Sequence, residues 1–344
     1  MKSLGFFEKL IFILNSLVAT ALLLSYLVPL IPPKSFPLLS VLSLGVPVLI
    51  ILNSLFFIYW LLRFKRHFLL SLIVLLLGYN YVASFVHYTL SEEDAQIDQD
   101  YSIMSYNVRM FNAYDWSSRK DIPEKITEFV KEKSPDILCV QEHYIGAAGL
   151  SEIYPYEYIK LKGKNAEFGS AIFSRFPIIK KHSVDFPHDG NNNAIYADVV
   201  LDSGDTLRVF NVHFQSLNIK PGIDDLQKED SKKLLGRIGY GFSLQQEQAE
   251  MMIDEVQRSP YHTMIAGDFN NTSFSYIYDL VRQDGKFKDA FLQAGNGFGK
   301  SFKLNYFPLR IDFILVEEQA KVKSFEKFEI DHSDHYPIFA RIGL

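Results

Sequence analysis

Three things are scarce in this chain: cysteine, any excess of positive charge, and, before residue 90, charge of either sign. The one cysteine among 344 residues, Cys139, excludes an intrachain disulfide. Its setting, Ile137-Leu138-Cys139-Val140, marks it as a small core residue. Net charge is -5. The six basic and six acidic residues of the first hundred cancel, so the deficit lies downstream, where 29 basic residues face 34 acidic ones. A domain that grips nucleic acid without regard to sequence is usually basic, and this one is not. No repeat and no low-complexity tract interrupts the chain. One large domain with an appendage is the natural organisation.

Apolar length is what the first ninety residues have instead. Segments 10–31, 36–62 and 68–88 are almost free of charge. Each is long enough to cross a bilayer, which takes roughly 20 helical residues. We therefore expect three membrane-spanning helices, with the lipid bilayer as partner of residues 10–88. The first run is too long for a cleaved signal peptide, and two more follow it. Asn53, Ser54, Ser71 and Asn80 are too few to wet one face of a buried helix. Pro29 and Pro47 are tolerated in membrane helices. The turn Arg63-Phe64-Lys65-Arg66-His67 carries three fixed positive charges and the turn Pro32-Pro33-Lys34-Ser35 one. The positive-inside rule then places the N-terminus and the basic turn in the cytoplasm. Three spans deliver the rest of the chain outside an inner or plasma membrane, into the periplasm where there are two membranes. Tyr59, Trp60, Tyr79, Tyr81 and Tyr88 suit interfacial anchoring. The expected organisation is an anchor over 1–90, an acidic linker over 91–100 and one domain over 101–344.

Downstream, strands and helices alternate. Strands are expected over 102–108, 137–141, 170–174, 195–201, 207–213, 263–267 and 311–316, and helices over 122–133 and 244–257. Polar residues stand where several of these apolar runs end: Asn107 in SIMSYNVRMFN, Glu142 in DILCVQEHY, His213 in VFNVHFQS, Asp268 and Asn270 in MIAGDFNNT, Asp312 in RIDFILV, and Asp334-His335 near the chain end. Each has a bland reading. Glu142 alone would be a solvated strand end, Asn107 and Asp268–Asn271 turn chemistry, His213 a structural histidine, Asp312 a cap or the ion-pair partner of Arg310. Together they supply oxygen ligands for a hard cation, a base for water, and donors for a phosphate. Asp268 and Asn270 are two apart on an extended segment, hence on one face.

The order and context of these six motifs resemble the endonuclease/exonuclease/phosphatase superfamily, from about Tyr101 to Leu344. The resemblance implies a four-layer α/β/β/α sandwich and a metal-dependent phosphodiesterase. It makes Glu142 the principal ligand of Mg²⁺ or Mn²⁺, with Asp334 facing the metal and Asn107 supporting it. It implies that Asp268 positions or deprotonates the attacking water and that Asp312 orients His335. Asn107, Asn270, His213 and His335 would bind phosphate oxygens, with Asn211 supporting His213. Arg109 departs from the pattern, since many members carry an acidic residue there. GSAIFSRFP also matches, as a core strand and turn with Ser174 and Arg175 near the rim of the site. No Ser or Cys sits in a nucleophile context, so direct in-line attack by water is expected. Segment 216–243 could read the leaving group, cover the site, or be a solvated insertion. The phosphodiester itself is expected to be nucleic acid, because the family's simplest members are nucleases. A phospholipid headgroup, hydrolysed as by sphingomyelinases, is the alternative that tethering and the acidic domain favour. A catalytically silent membrane receptor is a third reading, opposed by the complete residue set.

Overall fold

The computed structural model describes residues 4–89, 100–147, 149–163, 165–187, 190–217, 230–304 and 307–344. Linker residues 91–99 and Lys220, Asp224, Asp225, Lys228 and Glu229 of the insertion lie outside the described residues.

The apolar segment folds as α1 (Phe6–Ser25), a one-turn α2 (Pro37–Ser40), α3 (Leu42–Leu62), α4 (Phe68–Leu77) and α5 (Tyr79–Phe85). Their few polar residues meet each other inside the bundle. Asn15 donates to Ser71 at 2.7 Å and accepts from the Trp60 indole at 3.0 Å, as buried polar groups must where no water is available. Two stretches, 6–30 and 37–62, are long and apolar enough to span a membrane. The third expected span is not one straight helix. The chain turns by 80° between α4 and α5, at Gly78, where a β-carbon would lie 2.0 Å from the Tyr26 hydroxyl. Only the bent pair taken together makes a third span. Residues 86–88 are not helical at all: they form β1 (Val86–Tyr88), an edge strand that pairs with residues 296–298.

Two six-stranded sheets follow. The first is built from β2 (Tyr101–Asn107), β3 (Ile137–Tyr144), β4 (Tyr156–Lys162), β5 (Phe168–Ser174), β15 (Lys321–Lys327) and β16 (Ile338–Gly343), in the order β15-β16-β2-β3-β5-β4. The second holds β6 (Ile178–Asp185), β7 (Asn193–Val200), β8 (Thr206–His213), β9 (His262–Asp268), β10 (Phe287–Asp289) and β14 (Asp312–Glu317), in the order β10-β14-β9-β8-β7-β6. The short strands β11 (Asn296–Phe298), β12 (Phe302–Leu304) and β13 (Phe307–Leu309) belong to neither sheet: β11 pairs with β1, and β12 with β13. The sheets meet through a dry layer that includes Ile103, Cys139, Ile172, Ile195, Val209, Met264 and Ile314. Helix α6 (Ile122–Lys133) covers one outer face. Its Ile122, Ile126, Phe129 and Val130 recur at helical spacing and pack on Met104, Tyr106 and Leu138. Helices α7 (Ser231–Gln257) and α8 (Tyr276–Arg282) cover the other, with Ala249, Met252, Ile277 and Val281 against Phe210, Ile265 and Phe313; a short α9 (Ala290–Ala294) precedes β11. The four-layer sandwich is thus present.

Among these pairings two are parallel, β2 with β3 and β8 with β9. They lie at the centres of the two sheets, so the C-terminal ends of four strands converge at one edge of the sandwich. That edge carries the polar motifs.

Candidate active site

Register places the polar residues side by side. His213 is opposite Asp268 across β8 and β9, and Asp312 is opposite Asp268 from the antiparallel β14. Strand β16 enters beside β2, so Ser333 Oγ can donate to the Asn107 carbonyl at 2.8 Å and bring His335 to the same point. The backbone is forced to present them. Glu142 sits at a bulge where the β3–β5 register shifts, with φ of 54°; bulges re-aim side chains in this way. Asn270 and Arg109 also take left-handed φ, 49° and 45°. Strain of this kind, of order 1–3 kcal/mol per residue, gathers at functional sites. Gly267 is required: its φ is 144° and a β-carbon there would lie 2.0 Å from the Val212 carbonyl oxygen.

Asp268 is the hub. It is 1% exposed. One carboxylate oxygen accepts the Asn270 backbone N–H at 2.7 Å. The other, Oδ2, receives the Asn107 amide at 3.0 Å and faces His335 Nε2 at 3.6 Å and His213 Nε2 at 3.8 Å. His213 Nε2 also lies 3.9 Å from Glu142, and the Asn107 amide donates to Glu142 at 3.3 Å. Asp312 holds His335 from behind, with its two oxygens 3.1 and 2.9 Å from Nδ1. Phe302 packs on the imidazole at 4.9 Å between ring centres.

Charge is finely placed here. Burial opposes charge on His335, yet Asp312 and Asp268 outweigh it and lift its pKa to about 10, so the ring is cationic at neutral pH. Desolvation raises Asp268 to about 7. Glu142 is raised as well, first by desolvation and then by the Asp334 carboxylate. A cation beside Glu142 and Asp334 would relieve both effects, so the donor set fits a hard divalent ion. Asp268, Asp312 and His335 also bring three donor atoms within 4.8 Å of one another and could hold a metal.

Every expected site residue except two lies at this edge. Asn107 offers its amide N–H to the carboxylates, while its oxygen accepts the Arg109 N–H at 3.0 Å. The Asn270 amide donates to the Phe214 carbonyl at 2.9 Å. Arg109 pairs with Asp334 at 3.2 Å and stacks over Trp116, setting a positive charge against one of the acids of the site. Arg310 pairs with Asp289 and leaves Asp312 to His335. Asn211 does not support His213. It ties the two sheets together, donating to the carbonyls of Val140 and Ala171 and accepting from Gln141. Ser174 and Arg175 are at the opposite end of the sandwich, where Ser174 pairs with Ile137, the first residue of β3. A strand that runs antiparallel to β3 carries its C-terminal residues away from Glu142. His143 is buried between Phe111 and Phe173, and burial drops its pKa to about 4.

Some supporting residues were not anticipated. The expected helix over 244–257 begins at Ser231, and its glutamines brace the site. Gln245 donates to the Gln215 and Asn270 carbonyls and accepts from Asn271, while Gln248 accepts the Gln215 N–H. The only sequence signal was the run Gln245-Gln246-Glu247-Gln248 on a predicted helix.

A family model described as endonuclease/exonuclease/phosphatase family matches residues 104–335, and a domain of unknown function, DUF8431, matches residues 8–85. The uncharacterized protein YbhP of Escherichia coli K12 is 22% identical over 281 residues, covering 72% of this chain and 98% of that protein. Among solved structures, D. rerio TDP2 complexed with single strand DNA product superposes with a TM-score of 0.55 at 15% identity, over 72% of this chain and all of that one. The mannosyl-6-phosphatase Bt3783 of Bacteroides thetaiotaomicron gives 0.53 at 22% identity, over 71% of this chain and all of that one.

Proposed function

The chain belongs to the endonuclease/exonuclease/phosphatase family, and from that premise we propose that it hydrolyses a phosphodiester presented at a membrane surface, by direct attack of water at phosphorus. The observation that carries the chemistry is the convergence of Asn107, His213 and His335 on Asp268 Oδ2. Asp268 orients the attacking water and accepts its proton. His335, cationic and held by the positioning residue Asp312, donates to a non-bridging phosphate oxygen. His213 and the Asn107 amide supply further donors as charge spreads over those oxygens. Glu142, with Asp334, is the pair we assign to Mg²⁺ or Mn²⁺. When bound, such a cation neutralises charge on the phosphoryl group. His335 Nδ1 is already spent on Asp312, which argues for a proton-donating role over metal ligation. No covalent intermediate is expected, since Ser333 Oγ is committed to the Asn107 carbonyl and Cys139 is buried between the sheets.

The apolar helices dock beside the cleft, and that position bears on the substrate. Their outer ends hold the elements that frame the cleft. The Thr272 hydroxyl donates to the Ser43 carbonyl, and Phe274, six residues after Asp268, packs among Ala19, Leu22, Val46 and Val74. Lys34 pairs with Glu250 of α7 at 2.6 Å, and the Pro33 carbonyl accepts from Ser243. Val41 and Leu44 pack on Leu217 and Phe242. The basic turn is at the other end of the bundle, where Arg63 pairs with Glu8 at 2.9 Å. We place that turn in the cytoplasm and the catalytic domain outside. A cleft whose walls rest on the bilayer is best placed for a phospholipid phosphodiester. The likeness to TDP2 with its DNA product supports nucleic acid as a second reading. The full chain in vesicles, given Mg²⁺, should release a phosphorylated headgroup faster than it nicks added plasmid; DNA cleavage with intact lipid would reverse the order.

A further inference from the structure

A second concave site lies outside the cleft, where the bent helix pair meets the catalytic domain. Its volume is about 450 Å³, and Tyr79, Asn80, His87, Ser273, Asp279 and Arg282 are among its lining residues. Helix α5 forms one wall because of the 80° turn at Gly78, and Tyr79, 65% exposed, stands at the rim next to the end of α4. The cavity therefore opens at the level where the apolar helices end.

Three features of its lining ask for a ligand. Ser273 is 7% exposed, and its hydroxyl has no hydrogen-bond partner; a buried hydroxyl left unpaired is costly. Arg282 is fixed by Nε on the Phe287 carbonyl at 3.3 Å and lies against the Tyr278 ring. Among the described residues it forms no ion pair, even with Asp279 one turn before it on α8. The cavity thus presents one positive and one negative group that attract each other without closing an ion pair, with the Ser273 hydroxyl and the Asn80 amide beside them. A lone anion would meet Asp279 and a lone cation Arg282. A ligand carrying both charges meets neither objection.

We propose that this cavity binds the zwitterionic headgroup of phosphatidylethanolamine, its phosphate on Arg282 and Ser273 and its primary ammonium on Asp279. The ammonium carries three N–H donors, and a carboxylate and an amide oxygen are there to accept them. The site is separate from Asp268 and needs no hydrolysis. A lipid held there pins α5 to α8 and seats the loop from Asp268 to Ser275 against the bilayer.

The test uses the full chain in detergent micelles, in an Asp268→Asn background so that no lipid is consumed. Binding of dihexanoyl phosphatidylethanolamine, phosphatidylcholine and phosphatidylglycerol is measured by native mass spectrometry. The ethanolamine lipid is expected to bind most tightly. Arg282→Gln should weaken it about tenfold, the scale of one charge-assisted hydrogen bond, while Arg282→Lys keeps most of the affinity. Asp279→Asn should erase the preference over phosphatidylglycerol. Thermal melting of each variant separates lost binding from lost folding. Equal affinity for the three lipids, or an affinity untouched by Arg282→Gln in a folded protein, would overturn the proposal.

Discussion

The apolar helices and the sandwich both have apolar interiors and differ in what they leave outside. In the helices Leu17 and Leu55 are 63% and 57% exposed, while Asn15, Asn53 and Ser71 are buried. In the sandwich the fully buried large side chains are aromatic, among them Phe210, Phe269 and Phe313, and charge lies mostly outside. Each arrangement suits one solvent: lipid, which tolerates apolar surface and punishes an unpaired amide, or water, which does the reverse. The two meet on the loop after β9. There, within seven residues, Asp268 faces the cleft and Phe274 enters the helix bundle. The geometry of the candidate site and the docking of the apolar helices therefore share one backbone segment.

The largest effect should come from removing the hub. Asp268→Asn or His335→Asn should lower turnover by 10²–10⁴-fold, the usual worth of positioned acid–base groups, with melting temperature little changed. Removal of metal with EDTA should abolish turnover of the unmodified chain, and Mg²⁺ should restore it. Gly267→Ala breaks the segment itself. It places a β-carbon against the Val212 carbonyl at a φ that L-residues avoid, and should cost about 3 kcal/mol or more in chemical denaturation. Phe274→Ala should separate the two regions. A lost buried aromatic costs about 3–5 kcal/mol, seen as earlier melting of the anchor contact. Turnover of membrane lipid should fall, while turnover of a small water-soluble phosphodiester stays within about twofold.

The smallest effect sharpens the sandwich side alone. His143 is 2% exposed and its folded pKa is depressed to about 4. The unfolded chain takes up its proton near pH 6.5 and the folded chain does not. Stability is therefore full above about 6.5 and is lost as pH falls toward 4, by on the order of 3 kcal/mol. His143→Gln should flatten that slope in urea titrations across the same window.

What could be read in the chain follows from which residues are central. Strands β2, β3, β8, β9 and β14 are apolar runs buried on both sides, and each carries at or near one end a polar residue that meets the others at the shared edge, so their positions and the placement of Asn107, Glu142, His213, Asp268 and Asp312 were legible. The edge strands were not. Strand β6, Ile178–Asp185, contains Lys180, Lys181 and His182 on an exposed surface, and charged edges of this kind hide the alternation that marks a strand. The first half of α7 was hidden by Gly236, Gly239 and Gly241; Gly239 packs against Pro37, a contact between distant segments that no local pattern encodes. The bend at Gly78 escaped for the same reason, because the Tyr26 ring that occupies its space is fifty residues away in sequence. Arg175 looked like part of the site because its strand carries the family's motif. Strand direction, which a motif does not state, took it to the other end.

Headgroup release from phospholipid vesicles carrying the full chain should be measured with Mg²⁺, with EDTA, and with Asp268→Asn in place of the parent. Cation-dependent release in the parent, absent in EDTA and in Asp268→Asn, is the predicted result. Release that persists in EDTA or in a folded Asp268→Asn protein would contradict it.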